Sequence, residues 1–247
     1  MFFPLLAVHL SDGVLVWPWY YGSIAIALVL IVFLSRRVKD DEIPRIGILT
    51  AAFFVSSLIH VKLGPTSVHL LLNSLVGVLL GTRAILAIAV GLGLQAILLG
   101  HGGFTALGIN TLLIALPALL ARPTFRRMVR SVRSSHSLER DGFLAFAYVL
   151  HPLFMLPFLI ATYIGIRSGR PWNLSPEFRA GFFVGCFSVM LTAALNSAVL
   201  IVAGVEDWRI IAAVVFAAHV PIALIEGLIV GFTASFLKRV KPEMLQT

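Results

Sequence analysis

Histidine, asparagine and acidic side chains recur at the ends of the apolar segments of this chain, where they can face one another. The set comprises His9, Asp12, His60, His69, His101 and Asn110. Imidazole nitrogens suit Ni(II), Co(II), Cu(II) and Zn(II), whereas Mg²⁺ and Ca²⁺ prefer oxygen ligands. A cluster of histidines with few carboxylates therefore predicts a site for a late first-row transition metal.

Two further polar residues lie inside apolar runs, where such side chains are costly and indicate a site by default. Asn73 comes four residues after His69, so we expect both side chains on one helical face. Glu226 stands in the middle of "HVPIALIEGLIVG". Structural pairing and substrate coupling explain this carboxylate equally well.

The elements that must position these residues are membrane helices. The 247 residues are 59% hydrophobic and 12% charged, about half the charged fraction of a typical soluble domain. Apolar runs of about 20 residues can cross a bilayer core of roughly 30 Å. We therefore predict an all-α polytopic membrane protein with a single domain over 1–247. Its predicted spans are 14–35, 46–61, 67–81, 84–100, 104–121, 178–204 and 210–237.

A further apolar run, 143–166, leaves the topology open between seven and eight spans. Pro152 and Pro157 would break a helix near the middle of this run, as a re-entrant or interfacial segment requires. Eight spans would also place the basic C-terminus outside, against the positive-inside rule. The sequence thus favours about seven transmembrane helices plus one re-entrant or interfacial segment.

The basic residues cluster in short stretches between or after the spans, at 36–39, 126–140 and 238–241. This distribution predicts that 122–141 is a cytoplasmic loop, that the C-terminus is cytoplasmic and that the N-terminus faces outward across the cell membrane. It also explains the net charge of +8 without a nucleic-acid partner.

Nothing in the sequence indicates catalysis. No G-x-x-x-x-G-K-[ST] pattern for ATP and no H-E-x-x-H zinc pattern occurs, and Cys186 is the single cysteine, so no intramolecular disulfide can form. We expect a protein that is not an enzyme. The alternative of a membrane-embedded zinc metalloenzyme would need Asp12 or Glu226 as a general base beside a metal-bound water.

Four short stretches, "HLSDG", "PTSVHLLLNSLVGVLLG", "LLGHGGFTALGINTL" and "HVPIALIEGL", resemble the CbiM/NikM family. The likeness is dense over 8–121 and resumes over 178–237, whereas 143–177 departs from the family pattern. It implies the substrate-capture (S) component of an energy-coupling factor transporter for Co(II) or Ni(II), with seven spans. The implied partners are a transmembrane coupling (T) subunit, ATP-binding-cassette ATPases and a small auxiliary membrane subunit. An S component for another small solute is the alternative.

The resemblance also implies a ligand set. The metal would be held by the N-terminal amine, the amide nitrogen and imidazole of a second-position histidine, which matches His9, and the imidazole of His69. These donors form fused five- and six-membered chelate rings and a square-planar set that suits Ni(II). The metal is cargo, and no permanently bound cofactor is expected. The implied pocket residues are Asp12, His60, Asn73, His101 and Asn110.

The chain as written places His9 ninth, with no free amine beside it. Translation that begins at Val8, through a GTG codon, would give Met-His-Leu-Ser-Asp-Gly, with the amine at this position. Removal of residues 1–7 would have the same effect, but this stretch lacks the charged region of a signal peptide. We favour the internal start.

Two pairs of small residues at i,i+4 could supply a close-packing face for the coupling subunit. They are Ala52 with Ser56 and Gly77 with Gly81.

Overall fold

The computed structural model describes residues 9–36, 38–63, 66–134 and 174–245, with backbone alone for 60–63, 66–68 and 131–134. This part of the chain is mostly helical. Its helices are α1 Trp17–Ser35, α2 Ile43–Ser56, α3 Asn73–Leu80, α4 Ala84–Leu99, α5 Leu107–Ser134, α6 Pro176–Ala203 and α7 Arg209–Val240. Short 3₁₀ turns cover Asp40–Glu42, Gly81–Arg83 and Pro242–Leu245, and two short strands are β1 His60–Leu63 and β2 Thr66–His69.

Among the described residues, five helical segments are long and apolar enough to cross a membrane. They are Trp17–Ser35, Asn73–Leu99, Leu107–Arg130, Pro176–Ala203 and Arg209–Val240. Each predicted span corresponds to a helix, but α2 and α3 have 14 and 8 residues, short of the roughly 20 that a span needs. The multi-pass helical architecture is therefore confirmed, and the count of seven spans is not. The predicted re-entrant run 143–166 lies outside the described residues.

The segment between α2 and α3 differs from its prediction. The expected second span, 46–61, ends as a helix at Ser56, where the hydroxyls of Ser56 and Ser57 bond back to the carbonyls of Phe53 and Phe54. Such side-chain bonds compete with the helical backbone pattern. An antiparallel hairpin follows, in which His60 is the register partner of His69. The prediction that His69 and Asn73 share a helical face is wrong, since His69 ends β2 and α3 begins at Asn73.

The prediction of a loop over 122–141 is also wrong for 122–134, the part that the structure describes. Helix α5 continues through Pro117 and Pro123 to Ser134, and 135–141 lie outside the described residues. Each proline removes one backbone donor, yet the basic run "RPTFRRMVRS" remains helical.

Helix α3 lies at the centre of the packing, with seven of its eight residues buried. A Cβ on Gly77 would collide with the backbone of Ala118 on α5, so the two helices approach closely. Helices α6 and α7 pack through two matching glycine pairs, Gly181 with Gly185 and Gly227 with Gly231, each of which faces the other helix. Small residues at i,i+4 allow such backbone contact.

Arginines cap the C-terminal end of α3. The Arg122 side chain donates to the carbonyls of Val78 and Leu79 at 2.9 and 2.5 Å. Arg45 donates at 2.8 Å to Leu79 and to Met244 near the C-terminus. Cations at the C-terminal end of a helix complement its dipole. This end of α3 is therefore tied to α2, α5 and the C-terminal turn.

Candidate metal-binding site

The segment 9–16, which precedes α1, buries His9, Leu10, Val14 and Leu15 in the protein. Leu10 is 1% exposed, and the Asn110 side-chain amide on α5 bonds both its backbone N–H and its carbonyl at 2.9 Å. The Tyr20 hydroxyl donates to the Ser11 carbonyl and accepts from the Leu15 N–H, both at 3.0 Å. Helices α1 and α5 thus fix the backbone that follows His9.

Asp12 joins this segment to residues 100–106, hereafter the glycine loop. Its carboxylate accepts from the backbone N–H groups of Phe104 and Ala106 at 3.1 and 3.0 Å and from the Thr105 hydroxyl at 2.5 Å. These donors stand just before α5, where a carboxylate also complements the helix dipole. Asp12 therefore anchors the segment and caps the approach to α5.

The glycine loop needs its glycines because the segment 9–16 presses against it. Gly102 and Gly103 have φ of +82° and +71°, a region that residues with a Cβ rarely adopt. A Cβ on Gly102 would lie 3.0 Å from the Asn110 amide nitrogen and 3.2 Å from the Cβ of His9, and one on Gly103 would collide with the Asp12 carboxylate. The motifs "HLSDG" and "GHGGF" thus pack directly against each other.

The structure brings together His9 and His69, the two predicted imidazole ligands. Their Nε2 atoms lie 3.0 Å apart, and the rings stack with centroids 4.9 Å apart at an interplanar angle of 30°. Their residues are 2% and 1% exposed. The separation of the two Nε2 atoms is that of a hydrogen bond between the two ring nitrogens. The buried pair therefore holds two imidazoles, a ligand type that late first-row metals accept, side by side.

The hydrogen bonds of His69 set its tautomer. The Nδ1 of His69 lies 2.9 Å from the Leu70 carbonyl, and because a carbonyl only accepts, Nδ1 carries the proton. In the neutral ring, Nε2 then presents its lone pair toward His9. A second-sphere carbonyl of this kind fixes the orientation of metal-binding histidines.

The other predicted pocket residues fall into different places. His101 lies half-buried in the glycine loop, where its backbone N–H donates to the Gln95 carbonyl. The side chain of His60 is not among those described. Within residues 9–36, 38–63, 66–134 and 174–245, no three histidine, cysteine or acidic side chains form a group that could hold a metal ion.

The Asn73 side chain connects the start of α3 to two other helices. It is fully buried, and its amide nitrogen donates to the Ile114 carbonyl at 3.2 Å and to the Thr192 hydroxyl at 3.0 Å. The Thr192 hydroxyl in turn donates to the Ser188 carbonyl. Asn73 therefore joins the start of α3 to α5 and α6.

Glu226 accepts from backbone N–H groups rather than pairing with a cation in the described part of the chain. Its Oε1 accepts from Leu71 and, at 2.9 Å, from Leu72. These residues connect β2, which carries His69, to α3. This contact joins residues 154 and 155 positions apart, and no periodicity in the sequence could have indicated it.

Three residues of the predicted small-residue pairs, Gly77, Gly81 and Ser56, contact other residues of this chain. Gly77 contacts α5, and Gly81, with φ of +60°, contacts the Arg122 side chain. Ser56 is buried and donates to the carbonyls of Phe53 and Leu70, whereas Ala52 is half-buried. The prediction that Gly77 and Gly81 offer a packing face to a partner is wrong, because α5 of the same chain occupies that face.

Comparison with known proteins adds the decisive observation about identity. The sequence profile described as "CbiM: Cobalt uptake substrate-specific transmembrane region" matches residues 9–244. The chain belongs to the CbiM family. The predicted family resemblance is thereby confirmed, and the chain is a multi-pass membrane protein of a transport family. Membership in a transport family agrees with the expectation that the chain is not an enzyme.

Individual relatives agree with this assignment. A putative metal transport protein of Haemophilus influenzae is 40% identical over 119 residues, which are 48% of this chain and 58% of that protein. The chain thus spans less than two thirds of that relative. A putative cobalt transport protein, CbiM 1, of Methanocorpusculum labreanum is 27% identical over 97% of this chain and 92% of its own length.

The fold is also found in solved structures. A crystal structure of a truncated transition metal transporter has a TM-score of 0.62 and 16% identity, over 94% of this chain and 99% of that one. A second transition metal transporter has the same TM-score, with 17% identity over 94% of this chain and 93% of its own. At these identities the likeness concerns the fold alone.

Proposed function

We propose that this CbiM-family chain captures Co(II) or Ni(II) at the outer face of the membrane, as the S component of an energy-coupling factor transporter. The observation that carries the proposal is the buried approach of His9 and His69, with Nε2 atoms 3.0 Å apart. Two buried imidazoles in direct contact supply nitrogen donors that suit a late first-row ion. The names of the relatives above point to the same class of cargo.

The two remaining donors are the amine and amide nitrogens at the start of the working chain. With a chain that begins at Val8, read as Met, the amine, the amide of His9 and its imidazole form two fused rings, and His69 completes the set. The Asn110 amide holds the backbone of Leu10 on both sides, and this fixed backbone next to His9 supports the proposal.

Charge and aromatic residues support the proposed orientation. Trp17, Trp19 and Tyr21 are exposed at the start of α1, as is typical of a membrane–water interface. The basic residues Lys238 and Arg239 lie in the last turn of α7, and basic ends are typically cytoplasmic. The segment with His9 precedes α1, and the charge distribution therefore supports a metal site at the outer face.

The sequence carries no phosphate-binding loop, so ATP hydrolysis that drives transport inward occurs on other subunits. We assign this role to ATP-binding-cassette subunits that act through a T subunit, with a small auxiliary membrane subunit as a further partner. ATP is cytoplasmic, so the energy must reach this chain at its basic end.

The experiment is metal analysis of purified protein whose N-terminus has been read by mass spectrometry. A chain that begins Met-His9 should bind one Co(II) or Ni(II), and His9→Ala and His69→Ala should each abolish binding. His219→Leu is the matched control, because His219 is also buried but bonds within its own helix to the Val215 carbonyl at 2.6 Å. Full metal binding by either alanine variant would refute the site.

A second comparison separates the chelate from a simple histidine pair. A chain that begins Met-His9 and carries an acetylated N-terminus keeps both imidazoles but lacks the free amine that closes the five-membered ring. Loss of binding in this variant supports the chelate. Unchanged binding would show that the two imidazoles suffice and that the N-terminal amine is not a ligand.

A further inference from the structure

Glu226 is a fully buried carboxylate whose contacts lead to the metal site. It lies on α7, and its Oε1 accepts from the backbone N–H groups of Leu71 and Leu72. The same region of α7 is held firmly, since the backbone at Glu226 and Gly227 lies against Gly185 of α6 without space for a Cβ. The carboxylate is therefore presented from a tightly packed pair of helices.

The backbone that Glu226 holds has an unusual conformation. Leu72, which precedes the first residue of α3, has φ of 48° and ψ of 14°, in the left-handed region that a residue with a Cβ rarely adopts. Leucine there persists only when its surroundings determine the conformation. A carboxylate that accepts from N–H groups at a helix start supplies such a constraint, and it also favours the helix dipole.

This turn is the same stretch that orients His69. The Nδ1 of His69 donates to the Leu70 carbonyl, and Glu226 binds the next two N–H groups along the chain. Loss of the carboxylate would allow residues 70–72 to relax, and the His69 ring would turn with the carbonyl that holds it. The contact thus connects α7 to the direction of the His69 Nε2.

We propose that Glu226 is a positioning residue for the metal site, which acts through the backbone of Leu71 and Leu72 to fix His69 toward His9. This inference rests on the proposed function, because His69 must bind the metal. Glu226 does not itself touch the metal. It gives α7 a direct effect on metal affinity through the orientation of one ligand.

The test measures Ni(II) or Co(II) affinity and amide hydrogen exchange of peptides covering 70–72, on full-length protein with the verified N-terminus. Glu226→Ala should weaken metal binding about 10–100-fold, as loss of a second-sphere partner typically does, and should speed exchange at Leu71 and Leu72. Glu226→Gln keeps an oxygen acceptor but loses its charge, so a smaller loss in both readouts is expected. His219→Leu, on the same helix and equally buried, should lower the unfolding temperature without changing metal affinity or this exchange.

A rescue experiment tests the route of action. Leu72→Gly relieves the left-handed conformation, so the double variant Glu226→Ala/Leu72→Gly should recover part of the lost affinity. Wild-type affinity and exchange in folded Glu226→Ala would overturn the inference. If that variant does not fold, wild-type values in Glu226→Gln would overturn it instead. If His219→Leu weakens metal binding as much as the Glu226 variants do, the effect belongs to α7 packing and the inference is wrong.

The inference and the proposed function fail in different ways. Wild-type protein that binds metal, with no effect of Glu226 substitutions, contradicts the inference alone. Wild-type protein with the verified N-terminus that binds no Co(II) or Ni(II) contradicts both.

Discussion

Replacement of Asn110 by leucine is the sharpest test of how this chain builds the proposed metal site. Asn110 is 3% exposed, and its amide makes two bonds of 2.9 Å to the backbone of Leu10, the residue after His9. Leucine has a similar volume but leaves a buried N–H and a buried carbonyl unpaired. Each such group costs about 1–3 kcal/mol, so the upper bound is about 6 kcal/mol if the segment stays in place.

The segment can shift instead, at a smaller cost in free energy, and this response determines the expected result. Its bonds through Asp12 to the glycine loop and its bonds to Tyr20 persist in the variant, so the residues around His9 can shift while the remainder stays docked. We therefore expect the free energy of unfolding to fall by about 2 kcal/mol and metal affinity to fall about 10–100-fold. The corresponding binding free energy is about 1.4–2.8 kcal/mol.

The assay is a Ni(II) titration of detergent-solubilised protein that begins Met-His9, together with thermal unfolding. The matched control is Thr111→Val, on the adjacent residue of α5. Thr111 is also buried, but its hydroxyl donates to Leu107 within the same helix, so its loss should lower stability and leave metal affinity unchanged. Wild-type affinity in folded Asn110→Leu would refute the role of Asn110, and equal losses in both variants would show a general packing effect.

Two further predictions concern the glycine loop and proton competition. Gly103→Ala combines a positive φ with a collision against Asp12, so thermal unfolding should show that the free energy of unfolding falls by more than about 1 kcal/mol. The control is Gly93→Ala, whose Cβ would meet nothing within 4 Å and which should be neutral or stabilising. Equal effects of the two substitutions would contradict the reasoning. Ni(II) affinity should fall as pH drops from about 8 to about 5.5, because protons compete for amine and imidazole nitrogens. Titrations of the wild-type protein across this range check this decline, and a pH-independent affinity would contradict nitrogen ligation.

The helices could be predicted because apolar length alone determines them in a membrane protein. The predicted starts of the first, fourth and last spans, 14, 84 and 210, lie within three residues of the observed Trp17, Ala84 and Arg209. The hairpin was missed because its two four-residue strands continue the apolar runs on either side. The β-branched residues Val61, Thr66 and Val68 were the available signal for extended backbone.

The parts of the site that sequence reasoning identified are those whose chemistry is carried by the side chain itself. Imidazole binds metals in any fold, so the histidines indicated a metal site, and the family resemblance implied His9 and His69 as its ligands. The roles of Asn110, Asp12 and Glu226 depend on backbone atoms about 100, 92 to 94 and 155 residues away. A side chain that binds distant backbone has no signature of spacing, and only the tertiary structure shows what it holds.

The order of the chain along the site suggests which ligand moves when the metal arrives. A six-membered ring through the amide nitrogen of His9 closes at Nδ1, whereas the structure turns Nε2 of His9 toward His69. The chelate therefore requires the His9 imidazole to rotate about its side-chain bonds. His69 needs no such change, because its Nδ1–H donates to the Leu70 carbonyl and its Nε2 already faces His9. In the proposed ligand set His69 is thus the preset ligand, and the His9 imidazole is the one that must turn.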